Sequence, residues 1–189
     1  MSVRFGILST ARINELVLAG ARESELVEVT AVASRDQARA EEYAREHGIP
    51  RAHGSYEELL ADPELDAVYI SLPSSLHVEW SIKALEAGKH VLCEKPLSRR
   101  PDDVERAFDV ANRTGLLLTE AFMYRHNAQT ARLQELVAGG AIGQLRAVRA
   151  AFSFTPVGSR QHQALVRSGR RRPDGRWLLL PQRLQALGR

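Results

Sequence analysis

His90-Val91-Leu92-Cys93-Glu94-Lys95-Pro96 is the stretch on which the reading of this chain turns. A short apolar run bounded by Gly88 and Pro96 reads as a buried strand. A strand that ends on a lysine hands an ammonium group to the carboxyl edge of a sheet, where open α/β sheets bind ligands. Pro96 fixes one backbone torsion and removes an amide donor, so Lys95 is presented by a stiff turn. An isolated E-K-P triplet is better explained as a surface Glu–Lys pair beside a loop proline. The flanking segments reverse that preference.

Upstream, Val3 to Leu8 reads as a first strand and Arg12 to Ala21 as a helix with Ile13, Leu16 and Val17 inward. Val27 to Ala33 alternates as a second strand. Asp36 to His47 follows as a helix stopped by Gly48 and Pro50. Ser55 caps a short helix to Leu60, with Glu58 three residues on. Ala67 to Ser71 is the next strand and Leu76 to Ala87 the next helix, with Leu76, Trp80 and Leu85 inward. Downstream of Pro96, Asp102 to Thr114 is helical and Leu116 to Thr119 extended. Strands alternating with helices of this length imply parallel βαβ units, with right-handed crossovers placing helices on both faces. The expectation is an α/β fold, a doubly wound Rossmann-type parallel sheet over residues 1–121. A helix at Thr130 to Ala138 and a strand at Leu145 to Phe154 open a second α+β domain at 122–156.

Bulk composition narrows the class. The chain has 189 residues, 44% of them apolar, enough for one core and part of a second domain. No apolar run is long enough to span a bilayer, and no leader pattern opens the chain, so no membrane partner is expected. A single cysteine rules out a disulfide framework and fits the cytoplasm. Six histidines show no zinc spacing, and no metal is expected. The net charge of +3 is misleading: from Val157 onward there are eight arginines and one acid, Asp174. Residues 1–156 keep 18 of the 26 basic and 22 of the 23 acidic groups, a local −4. A nucleic-acid partner, which needs a basic face on the folded body, is not expected.

The cofactor signals are uneven. After the first strand the G-x-G-x-x-G positions hold Ser9, Ala11 and Asn14, so no fingerprint glycine is present. Small residues at Ser9 and Ala11 still allow a tight turn, and the helix start beyond them offers free amides and a favourable dipole to a pyrophosphate. The second strand ends Ala33-Ser34-Arg35, where an NAD site would place an acid for the ribose hydroxyl. A hydroxyl and a guanidinium suit a 2′-phosphate, with Arg39 one helical turn on as a second cation. This favours NADP over NAD. Ser34 also reads as a helix cap, with Gln37 completing a capping box, and both roles are compatible. Leu72-Pro73-Ser74 suits a loop lying along a cofactor. His77 is equally well read as a ligand contact or as a helix-start histidine bonded to backbone.

Together these segments resemble the Gfo/Idh/MocA family of NAD(P)-dependent oxidoreductases. The resemblance is carried by Gly6-Ile7-Leu8-Ser9-Thr10-Ala11-Arg12-Ile13, Ser34-Arg35, Leu72-Pro73-Ser74-Ser75-Leu76-His77, Gly88 to Leu97, and Glu120-Ala121-Phe122-Met123-Tyr124-Arg125. It is strongest to the branch with xylose, glucose–fructose and trans-dihydrodiol dehydrogenases. It implies hydride transfer between a sugar-like or cyclic alcohol and the nicotinamide of NADP, with Lys95 as the proton-moving group. Cofactor contacts are implied for Ser9, Thr10, Ala11, Arg12, Ile13, Ser34, Arg35, Arg39, Leu72, Pro73, Ser74, His77, Glu94, Lys95 and Arg125. Full-length relatives are expected to be homo-oligomers. Asn127-Ala128 replaces the His-Pro usual after the arginine, and the family's D-x-G-x-Y/H motif is missing.

Residues 157–189 invite a different explanation. Arg170 to Leu179, back-translated and read one base on, encodes Gly-Gly-Ala-Leu-Met-Asp-Val-Gly-Cys and then allows Tyr, which restores that motif. Its glycine is dictated by the single Trp177 codon followed by a Leu178 codon beginning with C. The aberrant tail therefore reads as out of frame from near Val157, leaving a C-terminally truncated chain. An authentic solvated basic tail is the plainer alternative. A catalytically inactive nucleotide-binding remnant is the competing functional expectation. An unpartnered strand at Leu145 to Phe154 is also an aggregation risk.

Overall fold

The structure, a computed structural model, describes residues 2–151. The strands are Val3–Leu8 (β1), Val27–Ala33 (β2), Arg51–His53 (β3), Ala67–Ile70 (β4), His90–Cys93 (β5) and Leu118–Glu120 (β6). The α-helices are Asn14–Arg22 (α1), Gln37–His47 (α2), Tyr56–Ala61 (α3), His77–Glu86 (α4), Pro101–Thr114 (α5) and Ala128–Ala138 (α6). All strand pairings are parallel, in the order β3-β2-β1-β4-β5-β6. That is the doubly wound order, which reverses between β1 and β4 and opens a crevice at their carboxyl ends.

The two faces are packed unequally. On one, Leu8, Ala33, Val68, Ile70, Val91 and Cys93 meet Leu59 of α3, Trp80 and Leu85 of α4, and Val110 of α5. On the other, Ile7, Val32 and Tyr69 meet Leu18 of α1, Ala44 of α2 and Ile49, with Phe5, Val29 and Leu92 partly buried around them. Trp80 stacks edge-on against Tyr56, ring centroids 5.0 Å apart, which fixes α4 to α3. The second face is less well covered toward β5 and β6, where Leu92 is only partly buried. That is where the apolar cleft described below opens.

Local chemistry explains most boundaries. Gly48 and Gly115 end α2 and α5 in the left-handed conformation, φ 69° in each, where a side chain would be strained. Ser55 Oγ accepts from Glu58 N at 3.1 Å, as the capping pattern predicts. At α2 the cap is Asp36, whose Oδ1 accepts from Arg39 N at 2.8 Å, and not Ser34. A cap needs its oxygen one residue before the first helical residue, and the helix starts at Gln37.

Three sequence expectations are corrected. Helix α1 buries Asn14 and Leu18, whereas Ile13 and Leu16 face outward onto the cleft, because its inward stripe is set by the sheet beneath it. Strand β3 was not foreseen: Arg51-Ala52-His53 has no apolar alternation and is extended because it pairs with Ala31 to Ala33. Residues 145–151 form no strand; Leu145 and Val148 are exposed there, since an isolated strand has no ladder partners. Helix α6 lies in the compact unit Met1–Gly139, and a second unit begins at Gly140. The frame-change reading of 157–189 lies outside the described residues.

At the amino edge of the sheet, Arg4 ties β1 to the approach to β4. Its Nε and Nη2 donate to the Asp66 carboxylate at 3.1 and 3.0 Å, and its backbone N donates to Oδ2 at 2.8 Å. The Arg4 side-chain hydrogen bonds are the main cause that holds the Asp66 carboxyl at about 2 against its usual 3.8. A depressed carboxyl stabilises the fold fully above its unfolded value and loses that contribution as pH falls through its folded one. Both side chains are more than a third exposed, so solvent screening keeps the contribution small. Denaturant melts should show wild type more stable than Asp66→Asn at neutral pH, with the advantage shrinking from about pH 4 toward about pH 2.

Candidate functional site

The crevice is built from the turns that leave β1 and β4. Ser9 and Ser71, the residues just past those strands, share a hydroxyl–hydroxyl hydrogen bond of 2.7 Å. Ser9 Oγ also accepts from Ala11 N at 3.1 Å, and Asn14, fully buried, donates from Nδ2 to Ser9 O at 2.9 Å. Ser9 has φ 128°, a conformation that favours glycine. The turn thus keeps the backbone path of a glycine-rich loop without its glycines. Side-chain hydrogen bonds to Ser71, Ala11 and Asn14 hold the strained residue.

On the β2 side lies a cavity of about 170 Å³, lined by Ser9, Thr10, Ala11, Ser34, Arg35, Arg39, Tyr56, Ser71, Leu72 and Pro73. Eight of the expected cofactor residues meet here. Tyr56 and Ser71 were not foreseen: Ser71 reads as the end of a strand and Tyr56 as helix core. Ser34 is nearly buried and its N donates to His53 O at 3.1 Å, so β3 helps place it. Arg35 and Arg39 are exposed at the mouth. Asp36, next to Arg35 in sequence, spends its carboxylate on the α2 cap and does not line the cavity. The polar lining is therefore hydroxyls and guanidinium groups, a donor set that fits a phosphorylated ribose.

On the β5 side a cleft of about 330 Å³ runs under α1, lined by Ile13, Leu16, Val17, Tyr69, Leu92, Glu94, Thr119, Glu120, Ala121, Phe122, Met123 and His126. It is mostly apolar with two carboxylates at its edge. The turn carrying Lys95 is fixed by three side chains. Glu94 Oε2 accepts from Lys95 N at 3.2 Å, and Glu120 Oε1 accepts from Leu97 N at 2.7 Å. His77 Nδ1 lies 2.9 Å from Pro96 O, and its Nε2 lies 2.7 Å from Leu72 O. The Lys95–Pro96 peptide is cis. Lys95 itself is exposed at the rim, next to Glu94, and lines neither cavity. Cys93, one residue before, is no nucleophile: burial first, then the nearby carboxylates, push its thiol up to about 12.

The remaining expected contacts sort themselves. Ile13 and Glu94 line the cleft, but Arg12, Ser74 and Arg125 are exposed and line neither cavity. On the Met123–His126 turn it is His126, and not Arg125, that reaches the cleft. For His77 the geometry matches the backbone-bonded alternative: the imidazole is buried between Pro96 O and Leu72 O and bridges the lysine turn and the Leu72 loop. Residue type alone does not distinguish such a bridge from a ligand contact; the placement of both loops does.

Two cavities flanking the strand-order reversal, one suited to phosphate and one apolar, define a dinucleotide-binding α/β domain. Residues 3–122 match the oxidoreductase family with an NAD-binding Rossmann fold, and the chain belongs to this family, Gfo/Idh/MocA. It is 49% identical over 150 residues to a D-xylose 1-dehydrogenase (NADP(+)) of Haloferax volcanii, covering 79% of this chain and 46% of that protein. It is 38% identical over 160 residues to a trans-1,2-dihydrobenzene-1,2-diol dehydrogenase of Danio rerio, covering 84% and 48%. A 3-ketoreductase of Actinomadura kijaniata, crystallised with NADP and TDP-benzene, superimposes with a TM-score of 0.69 at 40% identity, over 74% of this chain and 43% of that one. The chain spans about half the length of the curated relatives it matches.

Replacing Ser9 separates strain from hydrogen bonding. Ser9→Ala and Ser9→Gly both lose the bonds to Ser71 and Ala11, but glycine relaxes the backbone. Urea melts should therefore place Ser9→Gly about 1 kcal/mol above Ser9→Ala.

Proposed function

We propose that this chain is the cofactor-binding part of an NADP-dependent oxidoreductase. Its reaction transfers a hydride between a ring carbon of a sugar-like or cyclic alcohol and the nicotinamide. The observation that carries the reading is the cavity where Ser34, Arg35 and Arg39 meet, with no acid in its lining. Arg35 and Arg39 would grip a 2′-phosphate, and Ser34 would hydrogen-bond it. Ser9 N and Ala11 N are already bonded within the turn, so the Thr10, Arg12 and Ile13 amides ahead of α1 would receive the pyrophosphate. The apolar cleft under α1 would take the nicotinamide half, with Ile13 against it and Glu94 beside it. Bound NADP supplies the hydride acceptor; the protein supplies orientation and proton handling.

Lys95 is assigned the proton. Held at the sheet rim by the Glu94, His77 and Glu120 bonds to its turn, its ammonium would hydrogen-bond the reacting hydroxyl as general acid and base. The printed names of the relatives support the class: a sugar dehydrogenase using NADP(+), a cyclic diol dehydrogenase and a ketoreductase bound to NADP. The substrate is thus a small hydroxylated ring or its keto form, and neither nucleic acid nor membrane is assigned as a partner. Full-length proteins of this kind are assigned homo-oligomeric assembly, and the lone buried Cys93 suits the cytoplasm.

Two substitutions test the assignment. Arg35→Ala should weaken NADPH binding about tenfold or more, the loss of one charge-assisted hydrogen bond, and leave NADH binding nearly unchanged in parallel fluorescence titrations. Equal loss for both cofactors would refute the 2′-phosphate assignment. Lys95→Ala should lower kcat with aldoses or cyclic diols by about 10²–10⁴-fold while NADPH affinity stays within a few-fold. Wild-type chain that binds NADPH but turns over no such substrate would remove the catalytic half of the reading.

A further inference from the structure

Tyr69 lines the cleft without an assigned role above, yet its phenol bonds to Glu94 of the lysine-bearing turn. It lies on β4 in the middle of the sheet and is completely buried. Its O–H donates to Glu94 Oε1 at 2.8 Å, while the other carboxylate oxygen accepts from Lys95 N at 3.2 Å. Both oxygens of Glu94 are therefore held by donors on neighbouring strands or on its own turn. Burial first, and then the Glu94 carboxylate, hold the Tyr69 phenol well above its usual range, so it serves as a donor only. The surrounding cleft wall is apolar, from Ile13, Leu16, Val17, Leu92 and Phe122. A carboxylate fixed on such a wall acts on a nearby charge more strongly than one free in water.

We propose that Tyr69 is a positioning residue which, by fixing the Glu94 carboxylate on the cleft wall, makes the site prefer oxidised over reduced nicotinamide. The physical basis is the difference between the two forms: the oxidised ring carries a positive charge and the reduced ring is neutral. A carboxylate held toward the ring stabilises only the first. Without the phenol the carboxylate turns toward water, and the discrimination falls. Glu120, the other acid of the cleft, is tied to Leu97 N and is not under Tyr69 control. The inference rests on the assignment of this cleft to the nicotinamide half.

The test is a double-mutant cycle read in binding, with NADP+ and NADPH titrated separately by calorimetry. Tyr69→Phe keeps the ring packing and removes only the hydroxyl. It should raise the Kd for NADP+ about fivefold and move that for NADPH less than twofold. Glu94→Gln should shift the same ratio at least as far, and the double variant no further than Glu94→Gln alone. A merely structural role would weaken both forms alike, or add to Glu94→Gln, and either result overturns the proposal. If Tyr69→Phe does not fold, Glu94→Gln decides it: an unchanged ratio overturns the proposal, and a shifted ratio supports it. Wild-type chain that binds neither form overturns the cofactor assignment and this inference together. Tight binding with an unaltered ratio in the variants overturns this inference alone.

Discussion

The 2.7 Å hydroxyl bond between Ser9 and Ser71 spans the one place in the sheet where neighbouring strands send their chains in opposite directions. Parallel strands need crossovers, and crossovers wound to both sides leave the crevice open there. Both cavities of the candidate site lie about that gap. The hydroxyl-and-guanidinium cavity lies toward β2 and the apolar cleft toward β5. Ser9 holds a backbone torsion normally left to glycine, and a buried Asn14 amide braces the carbonyl. A site that lacks the fingerprint glycines can thus keep their geometry through side-chain bonding.

The lysine turn shows the same economy. Lys95 is exposed, and among the described residues order in its turn comes from its neighbours. Glu94, His77 and Glu120 each bond a backbone group of residues 95–97. Glu94 lies in the turn itself, whereas His77 opens α4 and Glu120 ends β6, so the turn is tied to α4 and β6 at once. Tyr69 extends the set into β4 through Glu94. On the proposed assignment of Lys95 as general acid/base, this order would settle its position before substrate arrives, since preorganised backbone limits a flexible side chain.

Buried polar groups elsewhere serve cohesion. Lys89 is nearly buried and donates from Nζ to Asp62 O at 2.7 Å and Leu65 O at 2.9 Å, holding the loop before β4 against the start of β5. Burial lowers its ammonium below the usual lysine value. Losing such a donor leaves two carbonyls in need of partners, which costs more than the bond itself contributes. Arg4 performs the corresponding task at the amino edge with an exposed ion pair of much smaller worth.

The sequence by itself determined the alternation of strands and helices, because period and cap chemistry are local: Ser55 with Glu58, Gly48, Gly115 and the apolar run at His90 to Cys93 all acted where they were read. It likewise named eight of the residues that line the phosphate-type cavity, since strand ends in a parallel sheet converge on one edge. Tertiary structure alone decided the rest. Strand β3 exists only through pairing with β2, α1 turned Ile13 and Leu16 to the cleft because the sheet chose its inward stripe, and His77 became a clamp once two loops supplied carbonyls to both ring nitrogens. Tyr69, Tyr56, Glu120 and His126 joined the site in the same way. Their roles depend on which distant atoms lie within about 3 Å, and periodicity along a chain carries no record of that.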